Sequence, residues 1–136
     1  MNNRIFGDTS AILALANKKD QFYDQAAKKL KELLKTPDTT LLITTHILAE
    51  TITRIQRKVS KEKAVVIGNL LIQNPRIEIL TPSNTVIQKA WEIYQKYMDQ
   101  DFSFVDCISF AVMQDMSIKK AFSFDKHFQI MKFELA

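Results

Sequence analysis

Short apolar runs alternate along the chain with longer segments in which apolar residues recur every three or four positions. The short runs have the length and composition of buried strands, and the longer segments have the period of amphipathic helices. The pattern predicts strands at 4–7, 41–45, 76–80, 120–124 and 128–133, with two helices in each of the first three intervals. Helical crossovers of this length join parallel strands, so the fold predicted is α/β with a mostly parallel sheet and helices on both faces.

Capping residues and prolines set the limits of several predicted helices. Pro37 ends the helix at 21–35, and Asn74-Pro75 ends the helix that Ser60 begins. Ser103 is followed three residues later by Asp106, in the pattern of a capping box. The helix that follows is apolar on almost every side, so it is predicted to be buried.

The size and composition are those of one globular unit. The chain has 136 residues, of which 46% are apolar and 25% are charged, and we expect a single domain spanning 1–136. Its only cysteine, Cys107, cannot form an intrachain disulfide, which favours a reducing compartment. No signal-type or membrane-spanning apolar run is present, so the sequence predicts a cytoplasmic protein.

Basic residues are in mild excess and fall into two clusters. The net charge is +4, with lysines concentrated between positions 18 and 35 and further cations between 54 and 63. Such clusters are compatible with a phosphate-bearing partner. A solvated helix face explains each cluster equally well, and the sequence leaves both interpretations open.

Four carboxylates lie where predicted strands end or predicted helices begin. Acids brought close together oppose folding unless a positive charge compensates them, and a divalent cation supplies that charge. Such an ion acidifies an attacking water and polarises a phosphoryl oxygen, which indicates phosphodiester hydrolysis. The four are Asp8, Glu50, Asp106 and Asp125.

Each acid also has a purely structural explanation. Asp8 can cap the helix that follows it, and Glu50 can pair with Arg54 one turn later. Asp106 can complete a capping box, and Asp125 can stabilise a turn. These explanations account for the acids one at a time but not for their joint placement, which favours a shared site.

The joint placement resembles that of the PIN-domain proteins, most closely the VapC-type ribonuclease toxins. The resemblance extends over residues 3 to 134 and rests on the order and spacing of four segments. They are 6–15 (FGDTSAILAL), 45–51 (THILAET), 101–111 (DFSFVDCISFA) and 121–128 (AFSFDKHF). The resemblance implies a three-layer α/β/α sandwich with strand order 3-2-1-4-5, and cleavage of RNA that depends on Mg²⁺ or Mn²⁺.

The resemblance also implies roles for individual residues. Asp8 and Asp106 match the principal metal ligands of the family, and Glu50 and Asp125 complete its catalytic acidic quartet. A hydroxyl that supports the first aspartate or contacts substrate is expected at Thr9 or Ser10. A small antitoxin protein, an RNA substrate and a homodimer are the partners implied.

Three further residues lie near these acids in the sequence. Gly7 stands where the family commonly has a bulkier apolar residue, and is expected to loosen the strand end. Asp101 competes with Asp106 for the ligand role, and the Ser-x-x-Asp helix start favours Asp106. His127 is expected to pack or hydrogen bond rather than to catalyse, because water activated by a metal ion needs no histidine base.

Other functional classes fit less well. A haloacid-dehalogenase-like phosphatase needs a second aspartate two residues after the first, where this chain has Ser10, and a receiver domain needs paired N-terminal acids. A non-catalytic basic module that binds RNA or protein remains as the alternative, with the acids serving only as caps.

Overall fold

The computed structural model describes residues 3–136 and is built on a five-stranded sheet. The strands are β1 Arg4–Gly7, β2 Thr40–Thr44, β3 Ile77–Leu80, β4 Lys120–Phe122 and β5 Glu134–Leu135. Their order is β3-β2-β1-β4-β5, and all four strand pairings are parallel. The strand order expected from the sequence is therefore confirmed, as is the α/β class.

Seven helices occur within the described residues. They are α1 Thr9–Ala16, α2 Tyr23–Leu34, α3 Thr45–Lys58, α4 Lys61–Gln73, α5 Asn84–Lys96, α6 Phe104–Asp115 and α7 His127–Ile130. Five of them begin after a residue whose side chain accepts a hydrogen bond from a backbone N–H of the first turn, which satisfies a donor that has no partner within the helix. These N-caps are Asp8, Thr44, Ser60, Ser83 and Ser103.

The order of connections creates a cleft between two central strands. The chain moves from β1 to β2 to β3 in one direction, and then crosses back to β4 and β5 on the other side of β1. Because parallel crossovers are right-handed, this reversal sends the helices on either side of it to opposite faces of the sheet. Ligands bind at the carboxyl ends of the strands where such a reversal occurs, here the ends of β1 and β4.

The segment after β4 differs from the strand predicted at 128–133. Residues 127–130 form α7, and the last strand is Glu134–Leu135, paired with β4 through Lys120 and Ala121. The side chain of Asp125 accepts a hydrogen bond from the backbone N–H of His127 at 2.9 Å, which favours a helical turn. A short apolar run cannot be assigned to strand or helix by periodicity alone, which is why the prediction was wrong here.

The apolar helix predicted after Ser103 is internal, as expected. Residues 107–113 of α6 are all buried. Phe110 packs edge-on against Phe102 and Phe128, with ring centroids 5.0 and 5.2 Å away. Burial raises the pKa of the Cys107 thiol to about 11, so this cysteine stays protonated and packs as an apolar residue. Within residues 3–136 no helix is both long enough and apolar enough to cross a membrane.

Gly7, the last residue of β1, lies against side chains of β2. A Cβ atom at this position would be 2.8 Å from Cγ2 of Ile43 and 3.0 Å from Cγ of Leu41. Ile43 is fully buried, and its branched side chain has little freedom to move. The glycine therefore permits tight packing immediately before Asp8, which differs from the expectation that it loosens the strand end.

The two glycines of the chain should respond oppositely to substitution by alanine. We expect Gly7→Ala to lower the free energy of unfolding by about 1–3 kcal/mol, because the added methyl overpacks the core. Gly68→Ala should raise it by about 0.5–1 kcal/mol, because Gly68 is inside α4 and its added Cβ would be 3.4 Å from Ile52. Urea denaturation of both variants measures the contrast, and equal effects would contradict it.

Candidate metal centre

Asp8 is a buried carboxylate at the end of β1. It caps α1 and is only 5% exposed. Its Oδ2 accepts hydrogen bonds from Oγ of Ser10 at 2.7 Å and from Oγ of Ser123 at 2.8 Å. Within the described part of the chain no lysine or arginine forms an ion pair with it. A buried charge held only by neutral hydrogen-bond donors is costly in the free protein.

The two serines also join the ends of β1 and β4. Oγ of Ser10 accepts a hydrogen bond from the backbone N–H of Phe124 at 3.0 Å, and Oγ of Ser123 accepts one from that of Asp125 at 2.9 Å. Each hydroxyl therefore donates to Asp8 and accepts from the segment that follows β4. This network fixes Asp125 relative to Asp8, although 117 positions separate them.

The environment of Asp8 favours its neutral form. The pKa of Asp8 is raised from 3.8 to about 6, mainly by burial and also by the negative charges of Asp106 and Asp125. The hydrogen bonds from Ser10 and Ser123 act in the opposite direction and offset part of this effect. The dependence on Asp106 and Asp125 places all three carboxylates within one electrostatic cluster.

Asp106 occupies the first turn of α6 and has two functions there. Its backbone N–H donates to Oγ of Ser103 at 3.0 Å, and its Oδ2 accepts from the backbone N–H of Ser103 at 2.9 Å, so the predicted capping box is present. Burial raises the pKa of Asp106, and the charge of Asp125 adds to this, while hydrogen bonds with Ser103 oppose it. The cap orients the carboxylate toward the strand ends, where Asp125 lies.

Asp106 and Asp125 meet at the side chain of His127. One ligand atom from each of these three residues lies within 4.8 Å of the other two. Nδ1 of His127 is 3.1 Å from Oδ1 of Asp125 and 3.4 Å from Oδ2 of Asp106. The imidazole is held edge-on against the ring of Phe102, with centroids 5.1 Å apart.

This group of atoms fits a divalent cation. Nδ1 of His127 is buried, yet it makes no well-aligned hydrogen bond to either carboxylate despite its proximity to both. Two carboxylates and an imidazole that converge without satisfying one another leave donor atoms available to a cation. An ion bound there would also relieve the repulsion that raises the pKa of Asp8 and Asp106.

Glu50 and Thr9 occupy different surroundings from the other predicted site residues. Glu50 is half-buried on α3, and its carboxylate is not in the group of atoms that converge within 4.8 Å. Thr9 is 2% exposed, and Oγ1 of the adjacent helix residue Thr51 donates to its hydroxyl at 3.3 Å. Thr9 therefore joins α1 to α3 beside Glu50 and does not present its side chain to a substrate, whereas Ser10 holds Asp8.

The sequence did not identify Ser123 as a residue of the site, and it predicted only a minor role for His127. Ser123 joins Asp8 to Asp125, and the signal was a hydroxyl two residues before an acid at a strand end. His127 was expected to pack or hydrogen bond, and it packs against Phe102 and lies between two carboxylates. Asp101, the alternative to Asp106, is exposed and does not belong to the converging group within residues 3–136.

A partly buried acidic cluster at the reversal point of a parallel sheet defines a class of α/β protein with a site suited to a divalent cation. The family model described as PIN domain matches residues 5–134, almost the whole chain. The chain belongs to the PIN domain family, which confirms the resemblance based on the four sequence segments.

The chain is similar to several known proteins within this family. The 23S rRNA-specific endonuclease VapC20 of Mycobacterium tuberculosis is 32% identical over 130 residues, which cover 95% of each chain. The crystal structure of that VapC20, described as a sarcin-ricin loop cleaving toxin, superposes with a TM-score of 0.86 at 28% identity over 97% of this chain and 98% of the other. VapBC2 of Rickettsia felis has the same fold, with a TM-score of 0.74 at 16% identity over 98% and 97% of the chains.

Removal of the Asp8 charge should stabilise the protein in the absence of metal. The folded protein holds the Asp8 proton more tightly than the unfolded chain does, so this group lowers stability as the pH rises from about 4 to about 6. Above pH 6 the difference in pKa lowers the free energy of unfolding by about 3 kcal/mol. We expect Asp8→Asn to raise the free energy of unfolding at pH 7 by up to that amount, and the gain should vanish near pH 4.

Denaturation with a chelator across pH 4–8 measures this difference, and Asp101→Asn is the matched control because Asp101 is exposed. Added Mn²⁺ should raise the melting temperature of the parent but not that of Asp8→Asn. A difference between Asp8→Asn and the parent that does not change with pH would contradict the assignment of a raised pKa to Asp8.

Proposed function

We propose that this protein is a divalent-metal-dependent endoribonuclease that hydrolyses RNA phosphodiester bonds and acts as the toxin of a toxin-antitoxin pair. The observation that carries the proposal is the convergence of Asp106, Asp125 and His127 beside the buried Asp8 at the carboxyl ends of β1 and β4. A site built mainly from carboxylates favours Mg²⁺ or Mn²⁺ over softer metals. The 130-residue domain matched by the family contains this site, and we propose that the whole chain acts as one unit.

Some residues of the site would bind the cation, and others orient the side chains that bind it. Asp8, Asp106 and Asp125 would ligate the ion, and Glu50 would complete the quartet from α3, where Thr51 anchors the helix to Thr9. Ser10 and Ser123 fix the orientation of Asp8 through its Oδ2 atom. When bound, Mg²⁺ or Mn²⁺ supplies an acidified water and an electrophilic contact to the phosphate.

His127 lies between the carboxylates of Asp106 and Asp125 and restrains both. Its backbone N–H donates to Oδ1 of Asp125, and the ring packs against Phe102. The imidazole is positioned to hydrogen bond a carboxylate or a water close to the cation. We assign it a positioning role, since proton removal from a water acidified by a metal ion needs no histidine base.

The relatives support RNA as the substrate. Those at 32% and 28% identity are named as an endonuclease specific for 23S rRNA and as a toxin that cleaves the sarcin-ricin loop. Ribosomal RNA containing that loop is therefore the first substrate to test. An enzyme of this kind would act in the cytoplasm, and the single cysteine is compatible with a reducing compartment.

Exposed apolar residues on two helices support protein partners. On α4 Val65, Val66 and Leu70 are each more than half exposed, and near the end of α5 Trp91 is 51% and Met98 87% exposed. Apolar patches of this kind commonly mark protein interfaces. We propose that an antitoxin and a second copy of the chain cover these surfaces.

Cleavage should require Asp106 but not its neighbour Asp101. We expect Asp106→Asn to lower the rate of RNA cleavage by about 100-fold or more, because it removes a ligand of the cation. Asp101→Asn should retain the parental rate, since this acid is exposed and outside the cluster. The assay uses a 23S rRNA fragment with the sarcin-ricin loop and a panel of transfer RNAs, with Mg²⁺, Mn²⁺ or chelator.

Circular dichroism of each variant verifies that the fold is retained. Parental cleavage by Asp106→Asn, or cleavage in the presence of chelator, would refute the metal-dependent mechanism. Metal-independent RNA or protein binding without any cleavage by the parent would instead support the non-catalytic binding module.

A further inference from the structure

A cavity of about 560 Å³ opens beside the metal centre and is not explained by the chemistry of the acids. It lies between α1, the loop that precedes α2, the second half of α3 and the segment after β4. Ser10, Asp125 and His127 belong both to its wall and to the metal centre. Its volume is within the range of about 300–1,000 Å³ found for ligand pockets. A group bound there would be directly adjacent to a phosphate at the cation.

The wall formed by α3 carries two cations that have no carboxylate partner. Arg54 and Lys58 are one helical turn apart, are exposed and line the cavity. Neither forms an ion pair within residues 3–136. The spacing of Glu50 and Arg54 allowed an ion pair between them, but the structure shows none. Lys126 adds a third exposed cation on the opposite side. Unpaired cations beside an acidic centre are suited to phosphates that flank the bond being cut.

The wall formed by the loop before α2 and the segment after β4 is aromatic. The rings of Phe22 and Phe124 stack in parallel with centroids 4.7 Å apart and planes 6° apart, and both are only partly buried. Asp20 fixes Phe22 by accepting its backbone N–H at 2.8 Å, and Ser10 fixes Phe124 in the same way at 3.0 Å. Aromatic surfaces held rigidly next to cations bind unstacked bases of single-stranded RNA.

We infer that this cavity is a subsite for the nucleotide adjacent to the scissile phosphate, an inference that rests on the proposed function. The base stacks against the Phe22 and Phe124 pair, while Arg54 and Lys58 each contact one flanking phosphate. An unpaired base is required for this contact, so the subsite selects for RNA loops over continuous duplex. Substrate binding then involves residues outside the acidic quartet. Among the cations between positions 54 and 63, only Arg54 and Lys58 take part in it.

The first test compares two double variants with equal loss of charge. Arg54→Gln with Lys58→Gln removes the cations of the cavity, and Arg57→Gln with Lys61→Gln removes exposed cations nearby that do not line it. For the first pair we expect KM for a loop RNA to rise roughly tenfold at about 0.1 M salt, with kcat almost unchanged. The slope of log KM against log salt should fall by about 1.4, since each single-strand phosphate contact contributes about 0.7. The second pair should resemble the parent.

A second test locates the base. RNA oligonucleotides with a photoreactive halogenated uridine at each position around the cut are irradiated with the Asp106→Asn variant, which leaves them intact. We expect cross-linking to Phe22 or Phe124 from a position next to the cut, identified by mass spectrometry of the peptides. Cross-links confined to other segments would overturn the subsite.

The outcomes distinguish failure of this inference from failure of the proposed function. If the parent does not cut RNA, the proposed function fails and the subsite with it. If the parent cuts RNA but the two double variants have equal KM values, only the subsite is refuted. If the first pair leaves KM unchanged yet loses binding to a co-purifying antitoxin, the cavity belongs to a protein partner and the inference is overturned.

Discussion

The burial of the Asp8 carboxylate is the constraint on which the site depends. Two serine hydroxyls hold the carboxylate, with no lysine or arginine paired to it in the described chain, and two further acids lie close enough to raise its pKa. A protein selected only for stability would place an apolar or neutral residue there. The arrangement is understandable if a divalent cation supplies the missing positive charge, because the cost in the free protein then becomes affinity for the ion.

The structural and chemical explanations of the acids are compatible with each other. Asp8 caps α1, Asp106 completes a capping box and Asp125 begins a turn, as each local pattern predicts. These same hydrogen bonds restrict Asp106 and Asp125 to orientations that converge at His127, with Asp8 close enough to feel both charges. Ligands that are fixed before the ion arrives lose less conformational entropy on binding, so local capping contributes to the formation of the site.

The charge distribution around the cleft matches an RNA substrate. The chain carries a net charge of +4, and three of its acids, Asp8, Asp106 and Asp125, lie together at the ends of β1 and β4. Arg54 and Lys58 form no ion pair with any described residue and lie on the wall of the adjacent cavity, so the negative centre and the positive wall are neighbours. A metal cation neutralises the negative centre, and phosphates neutralise the positive wall. An acidic substrate without a metal ion would neutralise only the wall.

The sequence by itself determined most element types, the mostly parallel sheet and the candidate acids, because periodicity, capping residues and crossover lengths are local properties. The strand order followed from the resemblance to the PIN-domain family. The sequence pattern assigned 128–133 to a strand, since a short apolar run carries too little periodicity to reveal the turn that Asp125 begins. Only the tertiary structure decided that Ser123 joins Asp8 to Asp125 and that Thr9 faces inward. It alone placed His127 between two carboxylates and Arg54 beside a cavity, because such contacts join residues far apart in the chain through the packing of the whole sheet.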